Sequence, residues 1–243
     1  LIVDSVEQIN LYNPLLPPNT YTDINNPNYW KNKMPHPGYW QQDVHYQISA
    51  EIIDTENLIK GHEILTYTNN SPDKLNYVFF HLYQNAFEPG SYLDKFRTAN
   101  KMESIYRPDE LKQKGTEILS VKSNDEVLDI EIDNTIMKVF LKEPLKSGES
   151  IVFDIVFDTY FGGNQEEGNV RRRMKVYEEF GNKHYNGVHW YPRISVYDRK
   201  FGWTTDQHLG KEFYGDFGCF DVELTFPENY IVEATGFMLN RDE

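Results

Sequence analysis

The sequence predicts a mainly β fold: a single antiparallel-rich, mixed β-sheet domain with a small helical insertion. Three observations carry that expectation. Aromatic residues make up 15% of the 243 residues, with 17 Tyr and 15 Phe, and large rings suit pleated, half-buried surfaces. Apolar and polar residues alternate with period two over several stretches, the pattern of a strand with one buried face. No strand-helix-strand rhythm and no fixed repeat runs through the chain, which argues against a parallel α/β sheet.

Residues 1–43 hold Pro14, Pro17, Pro18, Pro27, Pro35 and Pro37 beside Tyr29, Trp30, Tyr39 and Trp40. Proline fixes φ and removes an amide donor, so this arm forms no long helix or central strand. Its aromatics point to an extended segment wrapped on a surface. The β domain then occupies 44–243. Val44, Tyr46, Ile48, Ala50 and Ile52 fall on one side of a strand, with His45, Gln47, Ser49 and Glu51 on the other. Segments 59–69 and 76–84 continue the alternation across the turn-prone Asn69-Asn70-Ser71-Pro72-Asp73, so an antiparallel three-strand meander is expected. Residues 111–122, 127–132, 135–141 and 150–161 form a second series, with hairpin turns at Asp133-Asn134 and Lys146-Ser147-Gly148. Between the series, 92–115 is charged and lacks alternation, and its 101–115 portion suits one or two short helices.

The formal net charge of −14 repels phosphate backbones and anionic lipid, so nucleic acid and membrane surfaces are poor partners. Arg171, Arg172 and Arg173 are the compact basic cluster, read as a solvated loop or hairpin end. A single cysteine, Cys219, excludes an internal disulfide, and its place in a predicted strand, 218–226, suggests a buried thiol. No apolar run approaches the ~20 residues needed to span a bilayer. The chain starts at Leu1, and the expectation is that a leader was removed, placing the protein outside the cytoplasm, periplasmic or secreted.

Two motifs come close to peptidase signatures and miss. His62-Glu63-Ile64-Leu65-Thr66 starts like HExxH, but Thr66 stands where the second histidine belongs. The segment also reads as a strand, while the motif needs a helix to bring both imidazoles to one face. Gly236-Phe237-Met238-Leu239-Asn240 has Leu239 where an amine-binding acid would be needed. His184, His189, His208 and Cys219 have no metal-ligand spacing, and no nucleophile elbow or phosphate loop occurs. No catalytic residue and no metal ligand is therefore assigned to the chain.

A longer pattern is more specific. His189-Trp190-Tyr191-Pro192-Arg193-Ile194-Ser195-Val196-Tyr197-Asp198, followed by Trp203 to Gly210 and the run from Glu212 to Gly236, resembles the close of the N-terminal β domain of the aminopeptidase N family of zinc metallopeptidases, in its bacterial branch. Gly38 to Phe87 is similar to that family's first strands, with a G-x-x-x-L-x-Y-x-N strand, Gly61 to Asn69, and then His81-Leu82-Tyr83-Gln84-Asn85. The matching patterns span about half the chain, whereas 86–183 matches only in strand order.

The resemblance implies a saddle-shaped β domain that packs on a downstream thermolysin-like catalytic domain and forms one wall of its peptide pocket. Zinc would be held in that missing domain, where a metal-activated water removes N-terminal residues, and this chain alone would be inactive. In the family a glutamine or glutamate from the wall holds the substrate's N-terminus. Its place here falls within Tyr185 to Tyr191, which offers Asn186, His189, Trp190 and Tyr191 as wall candidates but no Gln or Glu. The bland reading of Trp190 and Tyr191 is packing. A competing class is a free-standing β-sandwich binding module for carbohydrate or protein, motivated by Trp30, Trp40, Trp190 and Trp203. A third is a structural scaffold with an exposed apolar docking face.

Overall fold

The computed structural model describes residues 38–102, 114–162, 174–179, 181–210 and 213–240. The chain divides into Leu1–Tyr39 and a unit from Trp40 to Glu243 that carries every described element. The proline-rich arm, the 101–115 helix expectation beyond Met102 and the three-arginine cluster all fall outside the described residues, apart from Gly38 to Asp43 and Lys114–Gly115.

The fold is mainly β. Strands β1 (Asp43–Ile53), β2 (Leu58–Thr68) and β3 (Leu75–His81) lead into a 3-10 turn, Tyr83–Phe87, and one short helix, α1 (Tyr92–Ala99). There follow β4 (Thr116–Ser123), β5 (Glu126–Val127), β6 (Ile130–Asp133), β7 (Ile136–Leu145) and β8 (Ser150–Tyr160). The C-terminal part adds the hairpin β9 (Met174–Glu179) and β10 (Asn182–Gly187), then β11 (Arg193–Ile194), β12 (Tyr197–Asp198), β13 (Gly202–Trp203) and β14 (Cys219–Thr225). Six strands form one sheet in the order β14-β1-β2-β8-β4-β5, and four form another, β11-β3-β7-β6. All strand pairs are antiparallel except β1 with β14, in which His45 lies opposite Cys219 and Glu51 opposite Thr225.

The alternation of β1 is realised as expected: Val44, Tyr46, Ile48 and Ala50 are buried and their neighbours face outward. Val44, Tyr46 and Ile48, together with Leu65, Tyr67, Phe153, Ile155 and Phe157 of the larger sheet and Val78, Phe80, Met137 and Val139 of the smaller, form one core, while Ala50 joins a second cluster with Ile59, Phe161, Met174 and Val176. Phe80 meets Phe153 edge-to-face at 5.6 Å across it, a favoured ring geometry. Gly61 is required here, because any side chain would enter the ring of Phe157.

The expected three-strand meander does not form. β2 is paired along its whole length with β8 on the edge opposite β1, from Leu58–Tyr160 to Thr68–Ser150, so β3 finds no free edge and joins β7 and β11 instead. Asn69 holds the corner where the chain changes sheet. Its side-chain amide donates to the carbonyls of Asp73 (2.8 Å) and Leu145 (3.1 Å), and its oxygen accepts from Ser71 Oγ (2.6 Å) and Gln42 Nε2 (3.3 Å). The turn at Lys146-Ser147-Gly148 likewise closes no hairpin; it carries β7 of one sheet into β8 of the other, with Gly148 at φ 79°. At the β6–β7 hairpin the tight turn is Asn134-Thr135, one residue later than expected, with Asn134 at φ 51°. The stretch 127–132 is split between β5 and β6, which belong to different sheets.

Helix α1 lies at the start of the insertion, ahead of the 101–115 portion for which helix was expected. Ser91 caps it, accepting from the Asp94 amide at 3.1 Å, while Asp94 Oδ2 accepts from the Gly90 amide at 2.8 Å. Ser91 Oγ also donates to the Ala86 carbonyl. Ser91→Ala is expected to cost about 1 kcal/mol, read as a lowered urea midpoint with an unchanged slope. Cys219, expected in the core, is exposed. β14 is an edge strand, and Cys219 lies opposite His45 on the solvent row of β1.

Candidate functional site

The segment before the proline motif comes off β10 and crosses the end of the smaller sheet. Asn186 sits on β10 opposite Lys175. His189 adopts φ 55°, a left-handed conformation uncommon for a residue with a side chain. Its imidazole lies 3.8 Å from the ring of Phe213 and 5.0 Å from that of Tyr83. Trp190 and Tyr191 turn inward. Trp190 packs against both core clusters and lies 6.3 Å from Phe157, and Tyr191 meets Tyr46 edge-on at 5.5 Å. Three of the four wall candidates thus point two ways: His189 towards a ring cluster, and Trp190 and Tyr191 into packing.

That cluster is built on Tyr83, the first residue of the 3-10 turn. His81 stacks on it at 4.9 Å and 4° between planes, and His208 and Phe213 meet it edge-on at 5.7 and 4.5 Å. His81 is buried, and burial, with the nearby charges of Arg193 and His208, pushes its imidazole down to about 4. His208 is lowered by burial as well. Both rings are therefore neutral at pH 7. Burial pushes the Tyr83 phenol up to about 12.

Arg193 is the charge at this place. It lies opposite His81 across the β3–β11 pair, is partly buried, and donates from Nη2 to the Asp216 carbonyl at 3.2 Å. Its guanidinium rests on Gly215, where any side chain would collide with it. The Asp216 carboxyl is raised to about 6 by burial and by Asp198, against a lowering by Arg193. His184 stands apart, against Tyr177 on the β9–β10 hairpin. Among the described residues no three His, Cys, Asp or Glu side chains are placed to hold a metal.

Sequence reasoning singled out His189 and missed His81, Tyr83, Arg193 and Asp216. The signal was present for three of them. His81 and Tyr83 belong to the quoted His-Leu-Tyr-Gln-Asn run and Arg193 to the proline motif, but only the β3–β11 pairing brings the runs together.

A second unexpected group lies in the core. His62 faces out and bonds Asp154 at 3.1 Å, so Glu63 must face in. It is fully buried, and neither carboxylate oxygen has a hydrogen-bond partner. Burial raises its pKa well above the usual carboxylate range.

No protein-family model matches the chain, and no curated protein matches its sequence. Among solved structures it is similar to a two-domain M1 zinc metallopeptidase mutant bound to L-arginine, with 15% identity, 77% of this chain and 33% of that chain covered, and a TM-score of 0.43. An M1 zinc metallopeptidase from Deinococcus radiodurans gives 14% identity, 77% and 33% coverage and a TM-score of 0.40. A mutant of an M1 enzyme from that organism bound to a Tyr-Ser-Ala substrate gives 15%, 53% and 25%, and 0.34. The chain spans a third or less of the length of these structures. Likeness at this distance decides nothing about activity.

Proposed function

We propose that this chain is the non-catalytic N-terminal domain of a zinc-dependent aminopeptidase of the bacterial aminopeptidase N type, working outside the cytoplasm. It packs on a catalytic domain and forms one wall of the peptide pocket. One observation carries this reading beyond the sequence motifs: a run of large apolar side chains left in solvent along the C-terminal part. Phe217 is 87% exposed, Ile231 95%, Phe237 97% and Leu239 94%, while Phe220 and Val222 of β14 are nearly half-exposed. A scatter of single exposed apolar residues is ordinary, but a concentration in one stretch of chain marks a surface that partners cover.

In this role the domain supplies shape and water exclusion, and the wall side chains Asn186, His189, Trp190 and Tyr191 face the substrate's N-terminus or hold those that do. Zinc and the general base belong to the partner domain. The alternative binding module gains no support from the tryptophans. Among the described residues, Trp40 packs on Tyr197 at 5.4 Å, Trp190 on Phe157, and Trp203 on Tyr197 at 4.8 Å and Phe79 at 5.7 Å, so these three rings are engaged in packing within the domain; Trp30 lies outside the described residues.

The test has two arms. The 243-residue chain alone is expected to bind no stoichiometric zinc and to leave aminoacyl anilides unhydrolysed, and sustained, chelator-sensitive turnover would overturn the proposal. The reading frame beyond Glu243 is expected to encode HExxH with a glutamate downstream. Its absence would leave a stand-alone module.

A further inference from the structure

Buried polar atoms without partners are rare, because each loses its water and gains nothing. Among the described residues several belong to residues at Arg193 or at its cross-strand neighbour His81. Both ring nitrogens of His81, Thr204 Oγ1 and Asp216 Oδ2 are buried without a hydrogen bond. Thr204's backbone lies beside the His81 ring, though with no aligned bond to it. Arg193 links the group, lying opposite His81, bonding the Asp216 backbone and acting electrostatically on His81 and on the Asp216 carboxyl. It has no carboxylate within ion-pair distance among the described residues, and its bond to the Asp216 carbonyl uses only part of its five-donor fork.

We propose that this cluster is a binding site for a ligand carboxylate carried next to an aromatic group. A planar guanidinium is the preferred partner of a carboxylate, which it can grip with two parallel hydrogen bonds. Neutral His81 supplies one N–H and Thr204 one O–H, and both are now unused. An approaching carboxylate also favours the protonated form of Asp216, turning that group from a competitor into a third donor. A cation is disfavoured by Arg193, and a doubly charged phosphate by its proximity to Asp216. The partly exposed rings of His189 and Phe213, which pack on buried Tyr83, supply an apolar neighbour for the aromatic group. The proposal is independent of whether the chain is the wall of a peptidase pocket.

Such a carboxylate can come from a small organic acid or from the C-terminus of a peptide. Titration of the full chain with N-acetylphenylalanine, followed by NMR of the His81 ring and by calorimetry, is expected to saturate. N-acetylphenylalanine amide, which lacks the charge, is expected not to bind. A dipeptide that ends in phenylalanine separates the sources: tighter binding than N-acetylphenylalanine assigns a peptide terminus, weaker binding a small acid. Arg193→Gln is expected to weaken binding at least about tenfold. Thr204→Val, nearly isosteric and safe for folding, is expected to weaken it several-fold. Equal binding of acid and amide, no saturation at millimolar acid, or unchanged affinity in Thr204→Val would each overturn the proposal.

Discussion

Glu63→Gln is expected to make the protein more stable at neutral pH, with an advantage that grows as pH rises. The side chain sits on the core face of β2 between Ile48 of β1 and Ile155 of β8, with both oxygens unpartnered. Its folded pKa is raised by burial, so the folded protein holds a proton that the unfolded chain gives up above about pH 4.5. The associated stability is full below that value and is lost as pH rises towards the folded pKa, at about 1.4 kcal/mol per pH unit. Glutamine never ionises, so its advantage is near zero at pH 4 and grows with pH. Urea unfolding of both proteins from pH 4 to pH 8 measures it. Parallel curves, or a less stable variant at pH 8, would show that Glu63 has a partner this account lacks.

Acid is expected to act through His81, in the opposite direction. Its folded pKa is lowered to about 4 from 6.5, so the unfolded chain takes up a proton that the folded core refuses. The stability this group provides is complete above pH 6.5 and is lost as pH falls through 4, amounting to about 3 kcal/mol. Asp216, raised to about 6, titrates in part of the same window with the opposite sign, so the wild-type slope alone is not diagnostic. The difference between wild type and His81→Gln is. The variant is expected to lose about 3 kcal/mol less between pH 7 and pH 4, and an equal loss in both proteins would refute the assignment.

These two residues also show where reading the sequence stops. The alternation of β1 named its inward face correctly because that strand is covered on one side only, and period two then reports burial directly. On β2 the same rule places Gly61, Glu63, Leu65 and Tyr67 on one face. A charged residue there reads as a break in the pattern, when it is in fact a buried acid. Strand existence was legible; partnership was not, because β2 and β3 differ in which edges remain free, a property of the whole sheet. Among the wall candidates, the left-handed turn at His189 separates its ring from those of Trp190 and Tyr191, and nothing in the residue types announces that turn. Arg193 and His81 are more than a hundred positions apart, and only a two-residue pairing brings them together.

The parallel pairing of β1 with β14 has a consequence for how the protein is made. His45 bonds Asp221 at 2.8 Å across 176 positions of chain. A ribosome adding roughly 5–20 residues per second takes on the order of ten to thirty seconds to cover that distance. Through that interval the outer edge of β1 is an open hydrogen-bonding template in a nascent chain. The His45, Gln47, Ser49 and Glu51 row on its solvent face keeps that waiting edge polar on one side, a guard against neighbouring nascent chains until the native strand arrives.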